Sequence, residues 1–489
     1  MNFFDLVVNF FFIAGSVNVW YYELVPKTEV LEQPLIFREN RMEKTVDILV
    51  TGGCSAGLYF AGLMARQGFK VLVCEKSSEE KLGERYNIIH IAKEQFGRFG
   101  LHEPGRGDPE YVAEFSRSIQ KSALNKWPKN SYTTIKVLRR GPLMRRLADW
   151  AREQGAEILF ETSFGKALYD EKGILAGAVF QSRGNELYVH ARLSADASGI
   201  PAVLRTSLPS GYGVENFVTG SRDMFYVVLH YVNLKYPETD KVETNTTWTQ
   251  YKVWLAPQHE TDGAIIGVGA NLSYDYAEKI FRRFEAKGYL PEYEPDHIEK
   301  GCTPYRRPPY SFVADGFIVL GDAACLTNPW SGEGVPYAWL LCKIAAEEYG
   351  RIMKEGGVPS AASAWNINLR YIREQGALFA KNLAMLCGAT DCTDKENDYE
   401  YKHSIIYEDD AEKGKHNLAL GLLGGFLSGG ISVKSLGNLL NAAGIGGKIE
   451  KHYLAFPDSP AGLAAWSARA DALWARAGSM ADMAEKDLN

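Results

Sequence analysis

"VDILVTGGCSAGLYFAGLMARQGFKVLVCEK", Val46 to Lys76, decides the fold. The apolar run from Val46 ends at Gly53, as a buried parallel strand does when it enters a turn. Small and apolar residues then recur at helical spacing from Ser55 to Gly68, and "KVLVC" reads as a second buried strand closed by Glu75 and Lys76. Strand, glycine turn, helix, strand and acid, in that order, form a βαβ unit able to cradle a dinucleotide. Gly52 permits the tight turn, Gly53 keeps it flexible, position 54 lets the backbone approach a pyrophosphate, and Gly57 lets helix and strand pack closely. The phosphates would sit on the free N–H groups of the helix start, around Ser55 and Ala56. Glu75, 23 residues after Gly52, is placed to accept hydrogen bonds from ribose hydroxyls.

Cys54 occupies the position usually held by the middle glycine. A cysteine is small, and at negative φ its side chain can turn away from the phosphates, so a spacer role is expected. The alternative is a reactive thiolate, since a helix N-terminus lowers a thiol pKa.

This unit alone does not separate NAD from FAD. "GFIVLGDAACLTNPWSGEGVPYAWLLCKIAAEEYG", Gly316 to Gly350, does so. "FIVLGD" reads as a strand ending in Gly321 and Asp322, and the long helical pattern that follows has Pro336 in its first turn. Between them lies the loop with Gly332, Glu333 and Gly334. A carboxylate at Asp322 can accept from a ribityl hydroxyl, which FAD has and NAD lacks. The positive end of the helix would face the pyrimidine edge of the flavin, where negative charge develops on reduction. Helix capping is the plain alternative for Asp322 alone.

"GGCSAG", "ADASGIPAVLR" and "GDAACLTNPWSGEG" resemble, in order and spacing, the three FAD motifs of the flavoprotein group that contains hydroxylases, halogenases and geranylgeranyl reductases. By that resemblance Asp196 and Gly199 belong to a strand-to-loop segment beside the FAD, and Arg205 to the helix that follows. Arg140 matches an arginine near the FAD phosphates, with an ordinary surface cation as the alternative. Phe164 matches a backbone contact to the adenine.

The group shares FAD but not chemistry, so the reaction must be read elsewhere. "KVWLAPQHETDGAIIGVGAN", Lys252 to Asn271, resembles the geranylgeranyl reductase signature Y-x-W-x-F-P followed by G-x-G. Trp254, Pro257, Gly267 and Gly269 match and are the expected substrate-binding residues; Lys252 and Ala256 depart from it. Trp254 would line a dry cavity, with a core aromatic as the other reading. The reductases' cysteine-glycine-rich segment is missing from "SSEEKLGERYNIIHIAKEQFG", and no protonating residue is named. The resemblance implies reduction of carbon–carbon double bonds in a prenyl or other lipid-like substrate, with NAD(P)H or a reduced protein as electron donor. The alternatives are an NAD(P)H-dependent aromatic monooxygenase and an electron-transfer flavoprotein serving a quinone or protein partner.

Composition sets outer limits. The 489 residues are 46% hydrophobic and 23% charged with a formal net charge of -6, which excludes a fibrous or disordered chain and gives no reason to expect nucleic acid. Seven cysteines without a CxxC pair suggest reduced thiols rather than a disulfide framework, no metal site and a cytoplasmic protein. The apolar residues 1–41 lack a basic n-region and a clear cleavage site, and read as a non-essential extension; contact with the inner face of a membrane is the other reading. The expected fold is α/β: a discontinuous Rossmann-like FAD-binding domain (42–205 and 301–350), an inserted mixed or antiparallel substrate sheet (206–300), and a helical region (351–489). The glycine-rich apolar stretch His416 to Gly447 would cover the cavity or, alternatively, meet a bilayer.

Overall fold

A computed structural model describes residues 42–84, 87–236, 241–246, 251–257, 263–388, 392–405, 409–410, 418–482 and 485. The extension 1–41 lies outside the described residues.

Strand Met42–Thr51 lies between Asn185–Asp196 and Val71–Cys74, parallel to both, with Val50 opposite Ala195 and Val73. Phe317–Val319 and Glu157–Leu159 extend the parallel order on either side. Ile48, Leu49 and Val50 have no exposed surface, as expected of a strand covered on both faces. Antiparallel strands Leu175–Ser182, Thr162–Tyr169 and Val313–Ala314 complete an eight-stranded sheet.

Helix Ser55–Ala65 follows the first strand and is buried at every position from Ala56 on. Tyr59 stacks on Trp150 of helix Arg140–Glu153 at 5.6 Å and lies 5.8 Å from Trp339 of helix Val335–Lys354. The three helices thus share one aromatic seam, with Phe96 and Phe99 edge-on to Trp339.

The second sheet has seven strands, ordered Tyr293–Pro304, Met224–Leu234, Gly263–Asn271, Tyr251–Pro257, Lys241–Thr246, Arg117–Lys121 and Lys129–Ser131. One face packs Val228, Ile266 and Val268 against Ile280, Phe281 and Phe284 of helix Tyr274–Ala286. The other face, with Leu229, Tyr231, Trp254 and Ile265, meets Ile88, Phe115 and Val137 of a three-stranded sheet built from Ile88–Ala92, Ile135–Arg139 and Tyr111–Phe115. The expected boundaries differ from this sheet in two places. Its last two strands come from within 42–205, and strand Tyr293–Pro304 runs across residue 300. Arg117–Lys121 and Tyr293–Pro304 are polar and pair with strands distant in sequence, and Lys129–Ser131 is added through Arg117–Lys121, so local pattern carries no sign of their place in this sheet.

The C-terminal region is helical as expected, with Ala377–Gly388 packed along Val433–Leu454. Among the described residues no helix is long and apolar enough to cross a membrane.

Arg205 corrects one expectation. It begins a 3₁₀ turn of three residues, Arg205–Ser207, rather than a following helix, and its side chain is fully buried. Pro201 and Pro209 bracket this stretch and leave little room for a longer helix. The guanidinium donates to the carbonyls of Ala323 (3.0 Å), Glu215 (2.8 Å) and Phe217 (2.9 Å) and lies 4.0 Å from the Phe217 ring centre. It therefore joins the second and third motifs to the loop entering the second sheet. Replacing it by methionine leaves three carbonyls without a donor, so Arg205→Met should destabilise the fold by roughly 3 kcal/mol. Denaturant unfolding followed by tryptophan fluorescence checks this; an unchanged midpoint would show that the clamp is dispensable.

Candidate flavin and substrate site

The site begins where the first strand ends. Gly52 has φ +103, and a Cβ there would lie 2.4 Å from the Ala197 carbonyl oxygen. A Cβ on Gly57 would lie 2.2 Å from the Gly52 oxygen and 2.9 Å from the Ala197 methyl. Only glycine fits either position, and the reason is close packing of strand, helix and the "DASG" segment. Cys54 is the N-cap of the helix at φ -76, with no side-chain cap over the helix start. Its thiol points toward the third motif, 3.7 Å from the Cβ position of Gly321. Burial, with a smaller contribution from the Asp322 charge, pushes this thiol up to about 11. That favours a neutral thiol, as the spacer reading expects, over a thiolate.

Ser55 and Ala56 use their carbonyls structurally, accepting from Trp339 Nε1 (3.2 Å) and Cys342 Sγ (3.3 Å). Glu75 closes over the turn: Oε2 accepts from the Gly53 amide at 2.7 Å, and Oε1 accepts from the Ser77 amide and hydroxyl at 2.8 and 2.5 Å. Lys76 beside it is exposed. The amide of Thr162 donates to the Glu75 carbonyl at 2.8 Å, which brings Phe164, two residues along its strand, to the same edge. Arg140 starts its helix, with Nη1 directed at the Gly83 carbonyl (3.4 Å). Beside it opens a cleft of ≈ 390 Å³ lined by Gly83, Glu84, Asn87, Gly141, Pro142, Arg145 and Glu299.

Asp196 is fully buried at the end of its strand. Its carboxylate accepts from the Ser198 amide and hydroxyl (3.0 and 2.6 Å) and the Arg205 amide (2.7 Å). Burial nevertheless holds its carboxyl above the ordinary range. These bonds make Asp196 the organiser of its loop, with Gly199 at φ +79 allowing the turn. Leu320 donates to the Asp196 carbonyl at 2.8 Å, so the third motif starts alongside the second.

Gly321 (φ +62) and Asp322 open a short 3₁₀ turn, Gly321–Ala324. The loop then folds on Asn328: its carbonyl accepts from Gly332 (2.8 Å), its amide donates to Glu333 (2.7 Å), and its side chain bonds Trp330 and Tyr337 (2.9 and 2.7 Å). This closure places Gly334 at the start of helix Val335–Lys354, with Asp322 Oδ1 3.7 Å from the Gly334 Cβ position. Glu333 accepts from Ser331 Oγ at 3.0 Å, and burial raises its carboxyl. All three motifs meet outside the carboxyl ends of the parallel strands, where open α/β sheets bind ligands. The uncapped helix start and glycine cradle supply the donors, and the flanking carboxylates the acceptors, that FAD requires.

Of the expected substrate-side residues, Trp254, Gly267 and Gly269 share one face of the second sheet with Lys252. Trp254 lies opposite Gly267, and Lys252 opposite Gly269. A Cβ on Gly267 would strike the Trp254 ring at 2.1 Å, and one on Gly269 the Phe225 ring at 2.1 Å. The G-x-G pair therefore provides room for two rings lying across the strand. Trp254 is half-buried against the apolar layer between the sheets, and Pro257 pairs with Ala264 at the end of the strand.

Two side chains escaped the sequence reading. Lys252, noted there only as a departure from the reductase signature, donates to Tyr305 Oη (2.9 Å) and to the carbonyls of Pro329 (3.3 Å) and Trp330 (2.7 Å). Burial pulls its ammonium down to about 7, against a small opposing effect of Glu333. His90 lies edge-on to Phe115, its Nε2 is buried without a hydrogen-bond partner among the described residues, and burial lowers it to about 4. The alternation K-V-W, which puts Lys252 beside Trp254, was the available signal for the first; His90 had none.

If Asp322 holds the flavin, Asp322→Ala should weaken FAD retention at least tenfold, about 1.4 kcal/mol, with the apoprotein still folded. Equilibrium dialysis followed by flavin absorbance reads this, and undiminished retention would leave Asp322 as a structural residue only.

Residues 45–286 match the FAD binding domain family. A digeranylgeranylglycerophospholipid reductase of Sulfolobus acidocaldarius is 24% identical over 455 residues, covering 88% of this chain and 97% of its own length. A geranylgeranyl bacteriochlorophyll reductase-like protein from Thermoplasma acidophilum superposes with a TM-score of 0.68 at 16% identity, over 81% of this chain and all of its own. The myxobacterial chondrochloren halogenase superposes with a TM-score of 0.60 at 17% identity, over 84% of this chain and 97% of its own. With three converging motifs and these similarities, the chain is an FAD-dependent oxidoreductase that carries an FAD binding domain over residues 45–286 and is similar to the geranylgeranyl reductases.

Proposed function

We propose that the protein reduces carbon–carbon double bonds of a prenyl or similar lipid, taking electrons from NAD(P)H or a reduced protein. The observation that carries this reading is an apolar cluster continuous with the flavin loop. Trp330 of that loop and Phe225 and Val227 of the second sheet pack with Phe379, Leu383, Leu386, Leu422, Ile431 and Leu439 of the C-terminal helices. A lipid chain needs such a dry lining. The names of the reductase relatives support the same choice.

When bound, FAD supplies the hydride. The protein's part is binding, orientation and exclusion of water. Amides of the Gly52–Gly57 turn would hold the pyrophosphate, helped by Arg140 and Lys76, while Glu75 would turn from the Gly53 amide toward the adenosine ribose. Phe164 would offer its backbone to the adenine, and Asp196 and Gly199 would shape the adjoining wall. Asp322 would accept from the ribityl chain, and Gly321 and Gly332–Gly334 would bring the helix start to the pyrimidine edge. Trp254, with Pro257, Gly267 and Gly269 framing it, would form a wall of the substrate cavity.

The same cluster suggests how a lipid arrives. Leu422 and Ile431 face inward, whereas Leu420, Leu427 and Val433 on the same helical pair are 68%, 74% and 72% exposed. An exposed apolar ridge above an apolar interior fits peripheral contact with a bilayer. Leu420→Ser with Leu427→Ser should weaken co-flotation with phospholipid vesicles at least tenfold without altering bound flavin. Equal flotation would end the membrane reading.

The reaction itself is tested anaerobically. Chemically reduced flavoprotein is mixed with a lipid extract from its source, and lipid masses are followed with flavin reoxidation. Lipids gaining pairs of hydrogens as the flavin reoxidises are expected. Reoxidation without a mass change would favour a quinone or protein acceptor, and no reoxidation before oxygen is admitted would favour a monooxygenase.

A further inference from the structure

Lys252 stands in an unusual place for a lysine. It belongs to strand Tyr251–Pro257, on the face shared with Trp254, yet its Nζ ends at the loop of the third motif. Three acceptors surround it, Tyr305 Oη and the carbonyls of Pro329 and Trp330, and the Tyr305 hydroxyl donates onward to Pro329 at 3.0 Å. Three acceptors match the three donors of an ammonium, whereas a neutral amine has only two. The stem runs past Phe225 and Tyr305, whose rings stack at 4.4 Å, with Nζ 5.9 and 5.6 Å from their centres. Among the described residues no carboxylate comes within ion-pair distance.

The titratable neighbours can be named from each side. The loop presents Glu333, and strand Tyr293–Pro304 leads into Tyr305. Strand Gly263–Asn271 offers Gly267, Gly269 and Asn271 on this face, and Met224–Leu234 offers Phe225, Val227 and Leu229. Glu333 is itself bonded to Ser331 and its carboxyl is raised by burial, so it compensates the lysine weakly. Two opposed tendencies result. Burial, opposed by the Glu333 charge, brings its proton affinity down to about 7, while the three acceptors are placed for the charged form. A negative charge arriving nearby would tip that balance toward the ammonium.

The loop gripped by Lys252 runs directly into Gly334 and the start of helix Val335–Lys354. Under the flavin assignment above, this helix start faces the part of the cofactor that becomes negative on two-electron reduction. We propose that Lys252 takes up a proton when the bound flavin is reduced, so that its ammonium both compensates the cofactor's new charge and tightens the Pro329–Trp330 loop against the substrate sheet. The balance is simple. An external reductant gives two electrons, one proton goes to flavin N5, and a second goes from solvent to Lys252 Nζ. The inference rests on the flavin assignment and not on the identity of the substrate.

The test is the pH dependence of the bound flavin's midpoint potential, measured by dye equilibration with dithionite and without lipid. For a two-electron couple each proton taken up shifts the potential by about 30 mV per pH unit, the tenfold change in proton activity converted at n = 2. Wild-type protein should show about twice that slope between pH 7 and 9. Lys252→Met should show the single slope and a lower potential at pH 7; Lys252→Arg, charged throughout, should show the single slope with the potential restored. A wild-type slope of one proton per two electrons would overturn the proposal even if neither variant folds, and equal slopes in wild type and Lys252→Met would overturn it as well. Because no substrate is present, failure here is distinct from failure of the lipid-reductase reading.

Discussion

The close approach of helix Ser55–Ala65 to the carbonyl of Gly52 is the constraint on which the flavin crevice depends. The helix passes so near this carbonyl that Gly57 has no room for even one carbon. Because the helix lies that deep, its remaining residues are buried, and Tyr59 reaches the aromatic seam formed with Trp150 and Trp339. The same approach draws in Ala197, which touches both glycines, so the second motif is tied to the first by contact rather than by chain connectivity. The third follows through the hydrogen bond from Leu320 to the Asp196 carbonyl. Three segments separated by well over a hundred residues of chain thus end at one crevice because two glycines lack side chains.

A second pair of glycines acts in the opposite way. Gly267 and Gly269 are not needed for unusual backbone angles; they lie in a regular strand and make space for the rings of Trp254 and Phe225. A larger residue at either position would push an aromatic ring out of the interface between the sheets or away from Tyr305. The first pair brings backbone close to backbone, as a phosphate site requires, and the second lets aromatic rings lie flat across the strand. The two arrangements meet at the Asn328–Gly334 loop, whose Trp330 packs into the helical cluster while its carbonyls hold Lys252. Buried polar contact and apolar lining therefore share one short segment, and a displacement of that segment would be felt on both sides.

Much of this was legible in the residues alone. The βαβ unit, the glycine spacing, Glu75, the short strand leading to Asp322 and the helix beginning near Pro336 are local patterns, each specified within a few tens of residues by burial periodicity and turn chemistry, although the strand stops at Val319 and Asp322 lies in the 3₁₀ turn after it. The negative φ of Cys54 could be anticipated from its place beside a helix start. Arg205 was less legible. Its position after the second motif suggested a helix, but its value lies in carbonyls drawn from residues 215, 217 and 323, and no local pattern announces such partners.

By itself, the sequence determined the fold class, the flavin and the order of the motifs, because these follow from hydrophobic period and from glycine and carboxylate at fixed spacing. Only the tertiary structure decided what Lys252, His90 and the edge strands Arg117–Lys121 and Lys129–Ser131 do. Lys252 departs from a familial tyrosine in one dimension, and in three it becomes a part-buried amine shared by sheet and loop. His90 becomes a neutral ring edge-on to Phe115, and Arg117–Lys121, with Lys129–Ser131 paired onto it, finds its partner strand Lys241–Thr246 more than a hundred residues away. Burial and long-range pairing are properties of the packed chain: they set the cost of a charge and the choice of a neighbour only after distant segments have met.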